Sequence, residues 1–363
     1  MIKEIKSTPS PPPFFWKDIF SVLFFAVLYL GAHYLAFLFP DTEQILMAVW
    51  PAGGIGIAAL LLNPRRLWPV ILSVLFVVGI AADLSIGRSV FTSMGFMTAN
   101  ILESFGCTCL IVRICGDNVS FTRIKEILAL ICAVLFVNTA TSFIGAGTAK
   151  LAHIAPFWDF WKTWWVADGL GILLVSPLII TCWDRPQNTS FRQPWYRLIE
   201  KCLFLSIWVA VAWLTFNSQA HHELSTPQPY LLFTLLAWPA LRFGQQSVTV
   251  SLAMLAMIAI SSNTVSAGPF LLGGNTTTQH LILVQMYLGI IAVTGFLLTA
   301  SYTEARSAKQ VADEEKEKLA RLGDNLPNSV VYQIVRELDG SMRFLYISAG
   351  VKQLNGVSVD EVL

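Results

Sequence analysis

The chain has 363 residues, of which 55% are hydrophobic and only 13% are charged, and its net charge at neutral pH is +1. Soluble domains carry about 25% charged residues, so this composition is typical of a membrane protein. The small net charge argues against a nucleic-acid partner. All six cysteines lie in or beside apolar segments, so neither a disulfide framework nor a metal site is predicted.

The N-terminal residues 1–17 are basic and proline-rich. The apolar stretch that follows runs for about twenty residues, which is longer than the core of a signal peptide, and no small-residue cleavage pattern follows it. We therefore predict a cytoplasmic tail over residues 1–17 and an uncleaved first transmembrane span.

Ten apolar segments have the hydropathy of membrane spans. They are residues 18–39, 44–62, 67–84, 90–115, 124–150, 159–183, 201–216, 230–241, 246–262 and 280–302. The segment 230–241 is short for a span. The sequence therefore predicts an all-α polytopic membrane bundle over residues 18–302 with eight to ten transmembrane helices.

Lysine and arginine residues are distributed unevenly between alternate loops. One side holds Lys3, Lys6, Lys17, Arg65, Arg66, Arg113, Arg123, Lys125, Arg185, Arg192, Arg197, Lys201 and Arg242. The other side holds Arg88, Lys150 and Lys162. Basic loops stay in the cytoplasm, so this bias predicts that both termini are cytoplasmic and that the number of spans is even. The outer loops are short, so we expect any stimulus to be read within the bundle or at its outer mouth.

Polar side chains inside these spans form the candidate site. A bare carboxylate in hydrocarbon costs at least about 2.5 kcal/mol, so an intramembrane acid such as Glu103 or Asp168 is expected to face the protein interior. Asn100 and Glu103 are three residues apart and share a helix face. The predicted ligand, ion or polar cluster comprises Asn100, Glu103, Asn138, Trp165, Asp168 and Arg242.

Three interpretations of the acids stay open. They are hydrogen-bonded groups that hold helices together, a ligand- or ion-sensing site, or part of a transport path. Arg242 is expected to anchor the inner side of the bundle and is long enough to reach a membrane acid by snorkelling. His33 is interpreted as an interfacial or hydrogen-bonded histidine. The aromatic run over residues 157–165 is interpreted as an interfacial belt, with an aromatic ligand pocket as the alternative.

Glycine, proline and aromatic residues mark kinks and close helix contacts within the spans. The predicted structural positions are Trp50, Pro51, Gly53, Gly54, Gly169, Gly171, Pro177, Trp238, Phe243 and Gly244.

The composition changes abruptly after Tyr302. Residues 303–325 are highly charged, and Glu314 with Lys318 and Glu317 with Arg321 have the spacing of helix-stabilising pairs. A heptad pattern follows Ala305, Ala308, Ala312, Glu315, Leu319 and Leu322. The pattern favours a juxtamembrane helix that forms a homodimer through residues 305–322. A solvated monomeric helix is the alternative.

Residues 326–363 have a different pattern again. Two strands are predicted at 330–337 and 342–348, joined by a turn containing Asp339 and Gly340. Short helical turns follow at 350–354 and 359–363. Two strands cannot bury an independent core, so this segment is predicted to be the incomplete first part of an α+β domain.

No phosphate loop, dinucleotide fingerprint, zinc-protease motif, calcium loop or nucleophile elbow is present in the sequence. We therefore predict no enzyme activity in these residues and no cofactor.

Four motifs resemble one family of membrane domains. They are the run 50–62, WPAGGIGIAALLL; the run 100–103, NILE; the run 165–171, WVADGLG, with Pro177; and the run 238–244, WPALRFG. In this order they resemble the membrane-associated sensor domain of the first type, in the MASE family, over about residues 15–306. The run from 326, LPNSVVYQ, with the strand FLYIS at 344–348, resembles the start of a PAS domain.

The two resemblances together imply a signal-input module in the inner membrane of a bacterium. Such modules precede histidine kinases or enzymes that make or degrade cyclic di-GMP. The chain contains neither output domain, so a fragment, a natural truncation and a heterodimerising short form are all open. A small-molecule or ion transporter and a non-functional remnant are the alternative functions.

Overall fold

The computed structural model describes residues 16–37, 49–183, 195–217, 229–263, 270, 277–326, 329–337 and 340–362. The chain forms two compact units, residues 1–302 and residues 303–363.

Helices dominate the described residues. They are α1 (Trp16–Phe37), α2 (Pro51–Leu61), α3 (Trp68–Ser85), α4 (Val90–Cys115), α5 (Ile124–Cys132), α6 (Thr139–Leu151), α7 (Phe157–Trp183), α8 (Trp195–Asn217), α9 (Tyr230–Arg242), α10 (Gln245–Asn263) and α11 (Thr277–Asp324). Among the described residues, seven helical segments are long and apolar enough to cross a membrane, and α2, α9 and α10 are shorter apolar helices. The predicted all-α polytopic membrane bundle is confirmed.

Local sequence explains several helix ends. Pro51 stands in the first turn of α2, where its missing N–H costs nothing. The side chain of Ser89 accepts a hydrogen bond from the Thr92 N–H and caps α4. Gly116 ends α4 with a φ of 86°, a conformation that suits glycine.

Helix α2 lies at the centre of the first unit. Its residues 52–60 are all buried, and it packs against α7, α4, α1 and α3. A helix that is apolar on every side needs such surroundings. By contrast, large apolar side chains on other helices, including Phe20, Val27, Phe136 and Met257, are exposed. An exposed apolar surface of this kind suits contact with lipid.

Four predicted spans differ most from the helices found. The seventh span was predicted over 201–216, but α8 begins at Trp195. The second span was predicted over 44–62, but α2 begins only at Pro51, because Trp50 is extended and its N–H donates to the Ala167 carbonyl oxygen. Residues 44–48 lie outside the described residues. The fifth span contains a π-helical turn at Ala133–Asn138 between α5 and α6. The tenth span and the juxtamembrane segment form a single helix, α11, of 48 residues.

The second unit contains a small antiparallel sheet. Strand β1 (Tyr332–Arg336) pairs with β2 (Met342–Ile347), with a register shift between Gln333 and Ile334. Gly340 has a φ of 89° in the connecting turn, and Leu338 and Asp339 lie outside the described residues. Two short helices follow, α12 (Gly350–Asn355) and α13 (Val359–Val362). The predicted pair of strands is confirmed.

Candidate functional site

Two buried acids lie in the interior of the bundle, Glu103 on α4 and Asp168 on α7. Glu103 is 0% exposed and Asp168 is 3% exposed. Among the described residues, no N–H or O–H group donates to either oxygen of Glu103 or to Oδ2 of Asp168. This acid pair therefore presents three buried carboxyl oxygens that have no hydrogen bond from the protein.

A third acid, Asp83, is buried near the end of α3 and is neutralised by its own partner. Its Oδ1 accepts a hydrogen bond from Nη1 of Arg88 at 2.8 Å. The Arg88 guanidinium also lies over the ring of Phe96, 5.3 Å from its centroid. Arg88 therefore links an acid and an aromatic ring at the same end of the bundle.

A cavity of about 60 Å³ adjoins Asp168. It is lined by His33, Trp50, Asp83, Arg88, Phe96, Asn100, Phe160, Thr163, Trp164, Ala167 and Asp168. These residues come from the ends of α1 and α3 and from the first halves of α4 and α7, so the cavity lies toward one end of the bundle. At about 15 Å³ for each water, it has room for roughly four waters or a ligand of similar size.

Five side chains that line the cavity carry buried polar atoms with no hydrogen-bond partner among the described residues. The atoms are His33 Nε2, Trp50 Nε1, Asn100 Oδ1, Trp164 Nε1 and Asp168 Oδ2. Leaving such an atom unsatisfied costs about 1–3 kcal/mol. An occupant that supplies both donors and acceptors would recover this free energy, so the lining is suited to a polar ligand.

Aromatic rings form the walls of the cavity. Phe96 stacks on Phe160 with centroids 5.6 Å apart and lies 5.0 Å from Trp164. His33 and Trp50 meet edge to face at 4.7 Å. These contacts fix the rings in place, so the cavity is preformed.

The sequence of this bundle matches a known protein family. The MASE1 family model matches residues 18–306. The chain belongs to the MASE1 family. MASE1 is a family of membrane-associated sensor domains that are not catalytic. No curated protein and no solved structure matches the chain. The predicted resemblance is thereby confirmed for the membrane domain, and the PAS segment stays a prediction.

The MASE1 domain brings together three of the six residues predicted as a cluster. Asn100, Glu103 and Asp168 are all buried, and Asn100 and Asp168 line the same cavity. Asn138 and Trp165 belong to a different contact of α7. There, Nδ2 of Asn138 donates to the Trp165 carbonyl oxygen at 2.8 Å.

Arg242 does not join the acid pair. Its Nε donates to Oε1 of Glu200 at 3.0 Å, and its side chain is 55% exposed. Arg242 ends α9 and Glu200 lies in the first turns of α8, so the two residues meet at helix ends. Arg242 therefore pairs with Glu200 and not with Glu103 or Asp168, and its role as an inner anchor of the bundle stays a prediction.

Gly53 and Gly54 of the MASE1 motifs lie where α2 contacts α4 and α7, whereas Gly169 faces the π-helical turn. A methyl group on Gly53 would stand 2.9 Å from Oε1 of Glu103, and one on Gly54 would stand 2.4 Å from the Gly171 carbonyl oxygen. Gly169 faces Val134 and the amide of Asn138. Small residues at these positions let α2 approach the acid pair closely.

The other predicted structural positions lie farther along the helices. Pro177 interrupts α7, and the adjacent Ser176 hydroxyl donates to the Gly54 carbonyl oxygen at 3.1 Å. The Trp238 indole lies near Glu200, with Nε1 3.4 Å from Oε1. Phe243 closes α9, and Gly244 follows with a φ of 82°.

Several residues of the site were not predicted to belong to it. His33, Trp50 and Trp164 had been assigned other roles, and Asp83 and Phe96 had been given none. One signal was present for Asp83, because an acid at the end of a predicted span lies five residues before Arg88. Among the described residues, no group of three or more histidine, cysteine or acidic side chains is arranged to hold a metal ion.

Proposed function

We propose that this protein is the membrane input module of a bacterial signal-transduction protein, and that its MASE1 domain binds a small ligand or ion in the cavity beside Asp168. The observation that carries the proposal is a preformed cavity into which five side chains bring buried, unpartnered polar atoms. A carboxylate, an amide, an indole and an imidazole that converge on one space supply the elements of recognition.

The predicted topology supports this reading. With a cytoplasmic N-terminus, α1 and α3 end on the outer side, and α4 and α7 begin there. The cavity is built from these ends, so it opens toward the outside of the inner membrane. A stimulus from the periplasm would reach the cavity without crossing the bundle.

A short route leads from the cavity to α11 within the first unit. Asp168 lies on the same turn of α7 as Leu170, and Leu170 faces Gly289 of α11. A methyl group placed on Gly289 would be 3.7 Å from Cδ2 of Leu170, which is ordinary van der Waals contact. A ligand that favours one rotation of α7 would therefore bias the position of α11.

We further propose that α11 passes this change to the cytoplasm. The helix runs from Thr277 to Asp324 and includes the heptad positions. Ala308, Ala312 and Glu315 are exposed in the single chain, and Leu322 is 65% exposed, so these side chains are accessible to a second copy. The proposed order is a MASE1 domain, a dimeric helix over residues 305–322, a PAS domain, and a histidine kinase or diguanylate cyclase as output.

Disulfide cross-linking in membranes tests the function with the full chain. In a background with Ala312→Cys, Asp168→Asn should change the cross-linking yield at least about twofold without changing the amount of protein in the membrane. The matched control is Asp159→Asn, an exposed acid at the start of the same helix. Equal yields for both variants, with and without periplasmic extract, would refute the sensory role of the cavity.

One observation favours a transporter as the second candidate. Helix α2 is only 11 residues long and begins in the bundle interior, and interrupted helices of this kind line substrate sites in transporters. Solute uptake by vesicles containing the protein, lost in Asp168→Asn and kept in Asp159→Asn, would favour transport over sensing.

A further inference from the structure

We propose that the cavity beside Asp168 binds a small amino alcohol, a primary ammonium ion whose hydroxyl is separated from the nitrogen by two or three carbon atoms. This names the ligand class of the site, and its link to signalling rests on the function proposed above. Three features of the lining carry the inference: its charge, its aromatic walls and the polarity of each unpartnered atom.

The charge of the lining favours a cation. Arg88 neutralises Asp83 through the 2.8 Å ion pair, so these two side chains nearly cancel. Asp168 and Glu103 have no cationic partner among the described residues. An ammonium group donating to Oδ2 of Asp168 would supply the missing positive charge, and its remaining N–H groups would reach acceptors such as Oδ1 of Asn100.

The walls favour an organic cation over a metal ion. The faces of Phe96 and Trp164 attract a cation held within about 6 Å of the ring centroid. The Arg88 guanidinium already occupies such a position over Phe96. Na⁺, Mg²⁺ and Ca²⁺ take most of their ligands from oxygen atoms, which the aromatic walls do not provide.

The remaining three unpartnered atoms favour a hydroxyl group. Nε1 of Trp50 and Nε1 of Trp164 are donors, so their partners must be acceptors. Nδ1 of His33 faces the Tyr29 carbonyl oxygen at 3.2 Å and must donate to it, which leaves Nε2 of the neutral ring as an acceptor. A hydroxyl group both accepts and donates, so a single hydroxyl of the ligand would satisfy Trp50 and His33.

The size of the cavity limits the ligand. At about 15 Å³ for each water-sized group, a volume of about 60 Å³ holds roughly four heavy atoms. Ethanolamine has four heavy atoms and carries both functional groups. Larger amino alcohols would have to extend past Phe160 and Thr163, which are only half-buried.

Thermal stabilisation of the purified full chain, in nanodiscs of phosphatidylglycerol, tests the inference. These lipids carry no ammonium headgroup that competes for the site. The probes are ethanolamine, propylammonium, ethylene glycol and sodium chloride at matched ionic strength. We expect ethanolamine to bind at least about tenfold more tightly than propylammonium, which lacks the hydroxyl, and ethylene glycol, which lacks the charge.

Two substitutions test separately the contacts of the ammonium group and of the hydroxyl group. Asp168→Asn should weaken ethanolamine binding at least about tenfold, and Asp159→Asn should leave it unchanged. Trp50→Phe keeps an aromatic ring and removes the indole N–H donor, so it should reduce the preference for ethanolamine over propylammonium. It also serves as the test where Asp168→Asn does not fold. Absence of ethanolamine binding, or equal stabilisation by sodium chloride, would overturn the inference.

The binding result is separable from the signalling result. Ethanolamine binding without a change in cross-linking at Ala312→Cys would uphold the ligand class and refute the sensory function. A cross-linking response to periplasmic extract, with no binding of ethanolamine, would uphold the function and refute the ligand class.

Discussion

Gly171 of α7 lies directly against the backbone of Trp50, so that a methyl group added at Gly171 would stand 1.8 Å from the Trp50 carbonyl oxygen. The contact is between two backbones, and neither can move aside by a side-chain rotation. It fixes the position of the residue that enters α2, and with it the indole ring that lines the cavity.

Gly171→Ala should therefore destabilise the MASE1 domain by about 3 kcal/mol or more, because α2 and α7 must separate to admit the methyl group. The matched control is Gly147→Ala in α6, where a Cβ atom would meet nothing within 4 Å. That change should be neutral or stabilising by up to about 1 kcal/mol. Thermal unfolding in nanodiscs measures both, and equal losses for the two variants would contradict the close contact.

The buried ion pair of Asp83 and Arg88 should respond differently from the exposed pair of Arg65 and Asp117. Arg88→Met leaves the charge of Asp83 buried without a partner, so we expect a loss of about 3–5 kcal/mol, reduced when Asp83→Asn is added. Arg65→Met should cost at most about 1 kcal/mol, because both partners are more than half exposed. Double-mutant cycles on the two pairs give the comparison. A coupling free energy no larger for the buried pair would count against the described burial of Asp83.

Asn138 joins the π-helical turn to α7. Its amide donates to the Trp165 carbonyl oxygen, and its Oδ1 accepts from the Ser142 hydroxyl at 3.1 Å. Asn138→Ala should cost about 1–2 kcal/mol, because these buried hydrogen bonds are lost. Thr98→Ala is the control, since the exposed Thr98 hydroxyl donates to the Met94 carbonyl oxygen of its own helix. Chemical unfolding in detergent measures the stability of both variants. Identical midpoints would show that the hydrogen bond between the helices does not contribute to stability.

The heptad positions of α11 predict a pattern of disulfide cross-links. Single cysteines at Ala308 and Ala312 should cross-link efficiently across a homodimer, while cysteines at Gln310 and Glu317, on the opposite helix face, should not. All six native cysteines lie between residues 107 and 202, so the parent protein gives the background. Cross-linking that is equal on both faces would indicate random collision and would argue against a dimer through residues 305–322.

Cysteine labelling in intact cells tests the predicted topology. A cysteine at His153, in the turn between α6 and α7, should react with a membrane-impermeant maleimide added from outside. A cysteine at Arg66, beside the start of α3, should react only after the membrane is permeabilised. The reverse pattern would invert the bundle and place the cavity on the cytoplasmic side.

Periodicity and hydropathy predicted much of this fold. The fourth predicted span and α4 have the same bounds, because an apolar run closed by polar residues leaves few alternatives. The start of α2 was not predictable in this way. Its position depends on a hydrogen bond from Trp50 to Ala167, and hydropathy carries no information about such a contact.

Within the candidate site, the two acids are the residues that the sequence predicts best. Glu103 and Asp168 are conspicuous because charged groups are rare in apolar segments. The partner of Arg242 could not be predicted, because Glu200 lies on another helix and sequence spacing does not show the contact. The cavity is lined by residues of α1, α3, α4 and α7 and by Trp50 at the start of α2. The spacing of residues within one helix does not predict how five helices pack together.

The short length of α2 has an electrical consequence. At 1.5 Å per residue, its 11 residues rise about 16 Å, roughly half of a hydrocarbon core about 30 Å thick. Trp50, on the deep side of the cavity, therefore lies near the middle of the membrane, and a cation that reached it from outside would cross part of the transmembrane field. Half of the field is worth about 1 kcal/mol per 100 mV for one charge, so occupancy in proteoliposomes should rise about sixfold when the inside is made 100 mV more negative. A site of this kind would report the energised state of the membrane together with the concentration of its ligand.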